Sequence, residues 1–331
     1  MLSDILKQGK CFKLVCGAGN EDAVEVEKLV YLYSKAGCSL FDLSANLEVV
    51  QAAKRGLERA GILDDRYLCV SVGIEGDPHI DKAEIIQNLC VKCGRCKNIC
   101  PQNAIFENGR VNYVKNKRCI GCGKCVDICE FKAIKMFSQD VDLAKVLPPI
   151  IEEGIDCLEF HALIEDEAAV MRKWKILSHL YPNFLSICVD RSKIGNEKLL
   201  NRVKKMIENR TPYTTIIQAD GAPMSGGCDD YKTTLQAVAM AEVFQDAKLP
   251  VYILLSGGTN SKTMELSRQC GIMPNGVAVG SYARKLVKEY VSRDDFFENT
   301  KVVNEALSKA KALVNSVFLQ YNMRQEKKCQ R

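Results

Sequence analysis

The chain has 331 residues and a mass of 36.9 kDa; it is 47% hydrophobic, 26% charged and 7% aromatic, with a formal net charge of +5. That balance excludes a disordered or collagen-like chain, and the length is about twice the ~150 residues usual for one domain. No run approaches the ~18 apolar residues that cross a bilayer, and the opening segment carries an early acid and no apolar signal core. A cytoplasmic protein without a transmembrane segment is therefore expected.

Outside residues 85–138 one pattern repeats: a short β-branched run, a polar turn, then an amphipathic stretch. Strands are expected at Phe12–Cys16, Leu40–Leu43 and Tyr67–Ile74, with helices at Val24–Ala36 and Leu47–Ala60. A helix at Val141–Glu153 resumes the series. Strands follow at Cys157–His161, Phe184–Val189, Thr215–Ala219, Val251–Leu255 and Val277–Val279. Helices at Ala168–Leu180, Glu197–Glu208, Tyr231–Ala247, Thr263–Cys270 and Arg284–Val291 alternate with them, and an amphipathic helix at Lys301–Tyr321 ends the chain. Eight strand–helix units in ~250 residues match a (β/α)8 TIM-barrel-like domain. A doubly wound open sheet is the alternative, because strand order is not written in a sequence. The expected division is 1–84 for the first three barrel units, 85–138 for an insert, 139–298 for the remaining units and 299–331 for a terminal helix and basic tail.

Polar residues gather at the ends of these strands, alternating as Asp42 with Ser44, Glu159 with His161, Cys188 with Asp190 and Gln218 with Asp220. Alternation puts each pair on one side of its strand, where barrel active sites are built. Glu159 and His161 can form an acid–base pair or serve as hydrogen-bonded layer residues. Lys13, ionisable within an apolar run, must find an anion, solvent or the barrel mouth. Lys13, Glu159, His161 and Asp220 are the candidate catalytic residues.

Seventeen cysteines are the compositional anomaly, and eight of them fall between Cys90 and Cys129. A disulfide scaffold would be small and cysteine-rich throughout, so the cluster points to metal in a reducing compartment. Cys90, Cys93, Cys96 and Cys100 form a C-x2-C-x2-C-x3-C run, repeated by Cys119, Cys122, Cys125 and Cys129. This is the spacing of bacterial ferredoxins, in which the last cysteine of each run serves the other cluster. Two 4Fe-4S clusters are expected, one on Cys90, Cys93, Cys96 and Cys129, the other on Cys119, Cys122, Cys125 and Cys100. Structural zinc would not need the third and fourth cysteine of each run. Glu130 stands where a proline often follows the fourth cysteine, which leaves that cluster more solvated. From Cys90 to Lys135 ten Lys/Arg face three Asp/Glu, an excess that mostly offsets cluster charge, so nucleic-acid binding is not expected.

Gly257 and Gly258 follow the seventh strand, and Gly280 and Ser281 follow the eighth. In barrels these two loops commonly cradle a phosphate, so flavin mononucleotide (FMN) or another phosphate-bearing ligand can bind there, with Lys13 and Arg284 adding charge unless Arg284 points to solvent at the start of its helix. The alternative is that these glycines only make tight turns. Cys228, in a glycine-rich loop, is the candidate reactive thiol. Cys16, Cys38, Cys69, Cys157, Cys188 and Cys270 read as small buried hydrophobes.

The segments Phe12–Gly17, Gly76–His79, Gln218–Gly227, Leu235–Glu242, Leu254–Lys262 and Gly280–Arg284 resemble the light-dependent period protein LdpA family. In cyanobacteria that family is an iron–sulfur protein that passes cellular redox state to the circadian clock. The resemblance implies iron–sulfur clusters with redox sensing or electron transfer; it supplies no substrate, and the clock role is not carried over. Two functions follow as expectations. In one, the clusters relay electrons between a redox partner protein (ferredoxin, flavodoxin or a reductase) and a ligand at the barrel mouth, as a flavin-linked oxidoreductase would. In the other, the clusters report redox state and the barrel is an adaptor platform.

Overall fold

The β-branched runs become eight short parallel strands that close on themselves, and every strand end that the sequence marks as polar points to one rim. The computed structural model describes residues 1–331 except 18, 74–80, 110–111, 139–141, 182, 222–226 and 329–331, with no side chain described at 138 or 318–328. In chain order the strands are β1 (Cys11–Val15), β2 (Leu40–Ser44), β3 (Tyr67–Val72), β4 (Asp81–Ile85), β5 (Ile105–Glu107), β6 (Asn112–Val114), β7 (Ile134–Ser138), β8 (Cys157–His161), β9 (Phe184–Val189), β10 (Thr215–Asp220), β11 (Tyr252–Ser256) and β12 (Gly276–Val279). The barrel order is β1-β12-β11-β10-β9-β8-β3-β2. Because β1 pairs in parallel with both β2 and β12, the sheet has no open edge, and the doubly wound alternative is excluded.

Alternation along the strands sorts the side chains. Phe12, Leu14, Leu43, Val70, Leu158, Phe160, Ile187, Ile217, Leu255 and Val277 point outward and form the main core beneath the helices. The helices begin where a side chain takes up their free amides: Asp22, Asn46, Asp142, Asp166 and Asp230 all cap. The inward set starts with an apolar floor of Cys11, Leu40, Cys69, Cys157, Ile216, Tyr252 and Leu254. That floor is closed by Leu2 and Leu6 of a helix, Leu2–Lys7, which the sequence pattern did not reveal. The terminal helix Thr300–Lys328 packs on the helices Ala23–Ala36 and Ser281–Val291, burying Ala306, Ala310, Leu313 and Val314.

Between β3 and the helix Leu143–Glu153 the chain leaves the barrel. β4 straddles the expected boundary at residue 84 but pairs antiparallel with β7, so it belongs with the insert. β5 and β6 form a second antiparallel pair, and the short helices Arg95–Ile99 and Lys124–Asp127 carry Cys96 and Cys125. Ala83, Ile85, Ala104, Ile105 and Ile134 pack with Cys96, Cys119 and Cys125 as a separate small core. The Gly76–His79 segment and the ends of the expected third strand and following helix, at Ile74 and Val141, lie outside the described residues.

Candidate functional site

The cysteine runs cross over in space. Cys90, Cys93, Cys96 and Cys129 line one cavity with Ile85, Val91, Ile128, Phe131 and Ile134. Cys100, Cys119, Cys122 and Cys125 line a second with Ala83, Ile105, Val114, Ile120 and Met136. Left-handed backbone at Lys92, Gly94, Gly121 and Gly123 bends each run around its cavity. Backbone amides point at the sulfurs: Ala83 N–H donates to Cys119 Sγ at 3.3 Å, Ala104 to Cys100 at 3.2 Å and Ala133 to Cys129 at 3.3 Å. Four thiols, an apolar wall and amide donors to sulfur are what an iron–sulfur cluster requires, so the residues fit the group. The two quartets differ in exposure: Cys93 is exposed, whereas Cys119 and Cys125 are buried. Glu130 is exposed on the Cys129 side and forms a bidentate pair with Arg95.

The insert is seated on the C-terminal rim. Glu21 N–H, after β1, donates to Lys117 O at 2.6 Å, and Arg118 pairs with Asp22 at 2.6 Å. Lys117 reaches Glu48, after β2, at 3.0 Å. The buried Lys82 ammonium joins the two parts, donating to Gly19 O and to Cys119 O, each at 2.8 Å. On the far side Lys288 donates to Pro101 O at 3.2 Å. With the Gln102 amide oriented so that its oxygen faces Arg284, that oxygen accepts from Arg284 Nη2 at 2.8 Å and Nε at 3.0 Å.

Below the insert, the barrel interior is polar in its middle layer. Lys13 Nζ donates to Glu159 Oε2 at 2.6 Å and to Gln218 Oε1 at 2.8 Å, and lies 3.5 Å from Asp42 Oδ2. Ser186 Oγ donates to Glu159 Oε2 at 2.7 Å, Gln218 Nε2 to Glu159 Oε1 at 2.9 Å, and Ser71 Oγ hydrogen-bonds Asp42. Burial alone would raise the Glu159 carboxyl, but the Lys13 ammonium and His161 hold it well below the usual carboxylate range. Asp42 moves the other way: burial pushes it up, opposed by Lys13, with repulsion from Glu159 adding to the rise. Lys13 is desolvated too, yet Asp42 and Glu159 raise it well above an ordinary lysine. The layer is thus a buried ion pair, Lys13–Glu159, with the Asp42 carboxyl beside it.

The top layer forms the mouth, lined by His161, Cys188, Asp220, Ser256, Gly257, Gly258, Gly280, Ser281 and Arg284, and by Ile120 of the insert. Of the candidate residues, His161 and Asp220 meet the two glycine loops here. Glu159 sits one layer down, with its Oε1 at 3.4 Å from His161 Nε2. Lys13 does not reach the glycine loops as expected; the β1 register places it in the middle layer, held by Glu159. Arg284 points inward and donates to Val15 O at 2.6 Å. Gly257 and Gly258 have φ of +71° and +74°, and a Cβ on Gly257 would collide with the Asp220 carboxylate and Gly221 N. Cys188 is no mere small hydrophobe: its Sγ donates to Asp220 Oδ2 at 3.4 Å. Cys270, expected to be buried, is exposed where its helix ends. Cys228 is exposed and lines a cleft with Cys100, Lys285 and Lys288; residues 222–226 of its loop lie outside the described residues. Sequence reading missed Ser71, Ser186, Ile120 and Gln102 as site residues. Extending the Cys188–Asp190 alternation one step down β9 finds Ser186, and applying the same alternation to β3 finds Ser71, but nothing local finds Ile120 or Gln102.

Comparisons with known proteins agree with this architecture. Residues 149–316 match the Light dependent period A C-terminal domain, 96–140 the LdpA Fe-S cluster-binding domain and 83–106 a 4Fe-4S binding domain. Light dependent period A of Synechococcus elongatus is 30% identical over 299 residues, covering 86% of this chain and 83% of the relative. The chain belongs to the Light dependent period A family. It is an iron–sulfur protein on a (β/α)8 barrel, and no described helix is long and apolar enough to cross a membrane. Solved barrels resemble it distantly. A tryptophan synthase from M. tuberculosis is 12% identical, covering 96% of this chain and 97% of that one, at TM-score 0.47. Dihydrodipicolinate synthase from Oceanobacillus iheyensis is 8% identical, covering 94% and 80%, at TM-score 0.43. Likenesses this remote carry no argument about chemistry.

Proposed function

We propose that the protein binds two 4Fe-4S clusters and passes electrons between a protein redox partner on its Cys93 side and a ligand held at the barrel mouth. Cys90, Cys93, Cys96 and Cys129 would hold the outer cluster, and Cys100, Cys119, Cys122 and Cys125 the inner one. When bound, such clusters supply one-electron transfer. The observation that carries the reading is Ile120, which lines both the inner cysteine cavity and the mouth. The insert therefore forms the roof of the ligand site. Gly257, Gly258, Gly280 and Ser281 would present backbone N–H groups to a phosphate-bearing ligand such as flavin mononucleotide, with the inward-facing Arg284 beside them. A ligand that binds only the folded protein raises its melting midpoint by mass action. Anaerobically purified protein should therefore melt higher with FMN or one of a panel of phosphorylated metabolites, and Gly258→Asp should abolish the shift while keeping its iron. A wild-type midpoint that no member of the panel moves would remove the ligand from the account.

The sensor–adaptor reading draws on a different observation, the exposure of Cys93. An accessible ligand thiol suits reversible loss of a cluster in response to oxidants. Flavin absorbance beneath the iron–sulfur bands in gently purified protein favours the oxidoreductase; its absence favours the sensor.

A further inference from the structure

We propose that Glu159, His161 and Cys188 form a site for one divalent transition-metal ion of the zinc type on the floor of the barrel mouth. The inference shares the mouth with the proposed function but uses none of the cluster cysteines and does not depend on electron relay. Its first support is geometric. Glu159 and His161 alternate on β8, and Cys188 pairs with His161 in the β9 register, so all three face inward, His161 and Cys188 in the mouth and Glu159 one layer below. Their ligand atoms lie within 4.8 Å of one another. Tetrahedral coordination with bonds of about 2.0–2.3 Å spaces neighbouring ligand atoms roughly 3.3–3.8 Å apart. His161 Nε2 and Glu159 Oε1 are 3.4 Å apart, so they already stand at that spacing.

The surroundings are those of a supported ligand set. Lys13 and Ser186 occupy Glu159 Oε2, and Gln218 Nε2 holds Oε1 at 2.9 Å, which fixes the carboxylate with Oε1 on the His161 side. Imidazole, thiolate and carboxylate together suit zinc-type ions rather than calcium or magnesium. His161, Cys188 and Asp220 line the open mouth, so an ion has access and a fourth coordination position faces the ligand space. Asp220 Oδ2, 3.4 Å from Cys188 Sγ, stands beside that position, where it can accept a hydrogen bond from bound water. On binding, the Cys188 thiol gives its proton to solvent and coordinates as thiolate. Such an ion would polarise a carbonyl or phosphoryl oxygen of the mouth ligand.

The test uses the full chain with its iron, equilibrated anaerobically with zinc chloride and then freed of loose metal by chelator and gel filtration. Wild type should retain about one zinc per chain, with a first shell of one sulfur at about 2.3 Å and three nitrogen or oxygen atoms at about 2.0–2.1 Å by X-ray absorption. His161→Ala and the near-isosteric Cys188→Ser should each retain at least tenfold less zinc, with iron and sulfide unchanged as the sign of intact folding. Cys228→Ser should retain as much as wild type. Wild type retaining no zinc, equal retention in both site variants, or a four-sulfur shell each overturns the site. Iron and sulfide are measured on the same samples, so failure of the relay and failure of this site are read separately.

Discussion

With its amide oxygen turned toward Arg284, Gln102, two residues beyond Cys100, accepts two hydrogen bonds from the guanidinium at 2.8 Å and 3.0 Å. The same arginine donates to Val15 O at 2.6 Å. One buried side chain thus ties the inner cysteine quartet, the end of β1 and the helix after β12 together. Arg284→Met should leave the Val15 carbonyl and the Gln102 amide without a partner, costing about 2–4 kcal/mol. Gln102→Leu should cost about 1–2 kcal/mol, because Arg284 keeps Val15. Denaturation midpoints at equal iron content measure both; an Arg284→Met variant as stable as wild type would show that the guanidinium is not holding the insert.

Glu25 makes the same junction sensitive to pH. Burial pushes its carboxyl up, and Arg284 and Arg118 only partly oppose this. A folded-state value above the unfolded one means the native protein holds the proton more tightly. The contribution is favourable below about pH 4.3, the ordinary value for glutamate, and is lost as pH rises through the folded value. Glu25→Gln should therefore gain on wild type as pH rises through that window. Melting midpoints across pH 4 to 7 decide; a constant difference between the two proteins contradicts the assignment.

Gly257 is where Asp220 fits. Its φ of +71° disfavours any side chain, and a Cβ would strike the Asp220 carboxylate. Gly257→Ala should cost more than about 1 kcal/mol through backbone conformation alone and displace Asp220 from the mouth. The atoms that a Cβ on Gly257 would meet belong to Asp220 and Gly221 rather than to the insert, whose Ile120 lines the same mouth, so iron and sulfide content should stay at the wild-type level. Loss of iron in this variant would contradict the independence of the two sites.

The proposed crossed ligation would give the cysteine variants distinct signatures. Cys90→Ser should damage the outer site, shared with Cys129, and spare the inner one. Cys100→Ser should do the reverse and disconnect the mouth from reductant. Electron paramagnetic resonance of the reduced variants distinguishes them; if Cys90→Ser perturbs only the signal that Cys100→Ser also removes, the crossing is wrong.

How much of this was legible depends on how local the cause is. Barrel strands announce themselves because inward polar residues alternate with outward Val, Ile and Leu, and the C-x2-C-x2-C-x3-C spacing is local enough to be read directly as cluster-binding runs. The helix Leu2–Lys7 is too short to show a period. The insert starts at β4 rather than at residue 85 because Asp81–Ile85 pairs with Ile134–Ser138, a contact between segments far apart in sequence. Lys13 was expected beside the glycine loops; strand register, which no composition encodes, sets it one layer lower against Glu159. Gln102 and Ile120 become site residues only because the insert docks on the rim.

The count of iron and acid-labile sulfide in protein isolated without oxygen tests the central claim most directly. Two complete cysteine quartets predict about eight irons and eight sulfides per chain. Zinc bound at the cysteine runs in the absence of sulfide, or about four irons with one quartet's cysteines free to react, would contradict the account.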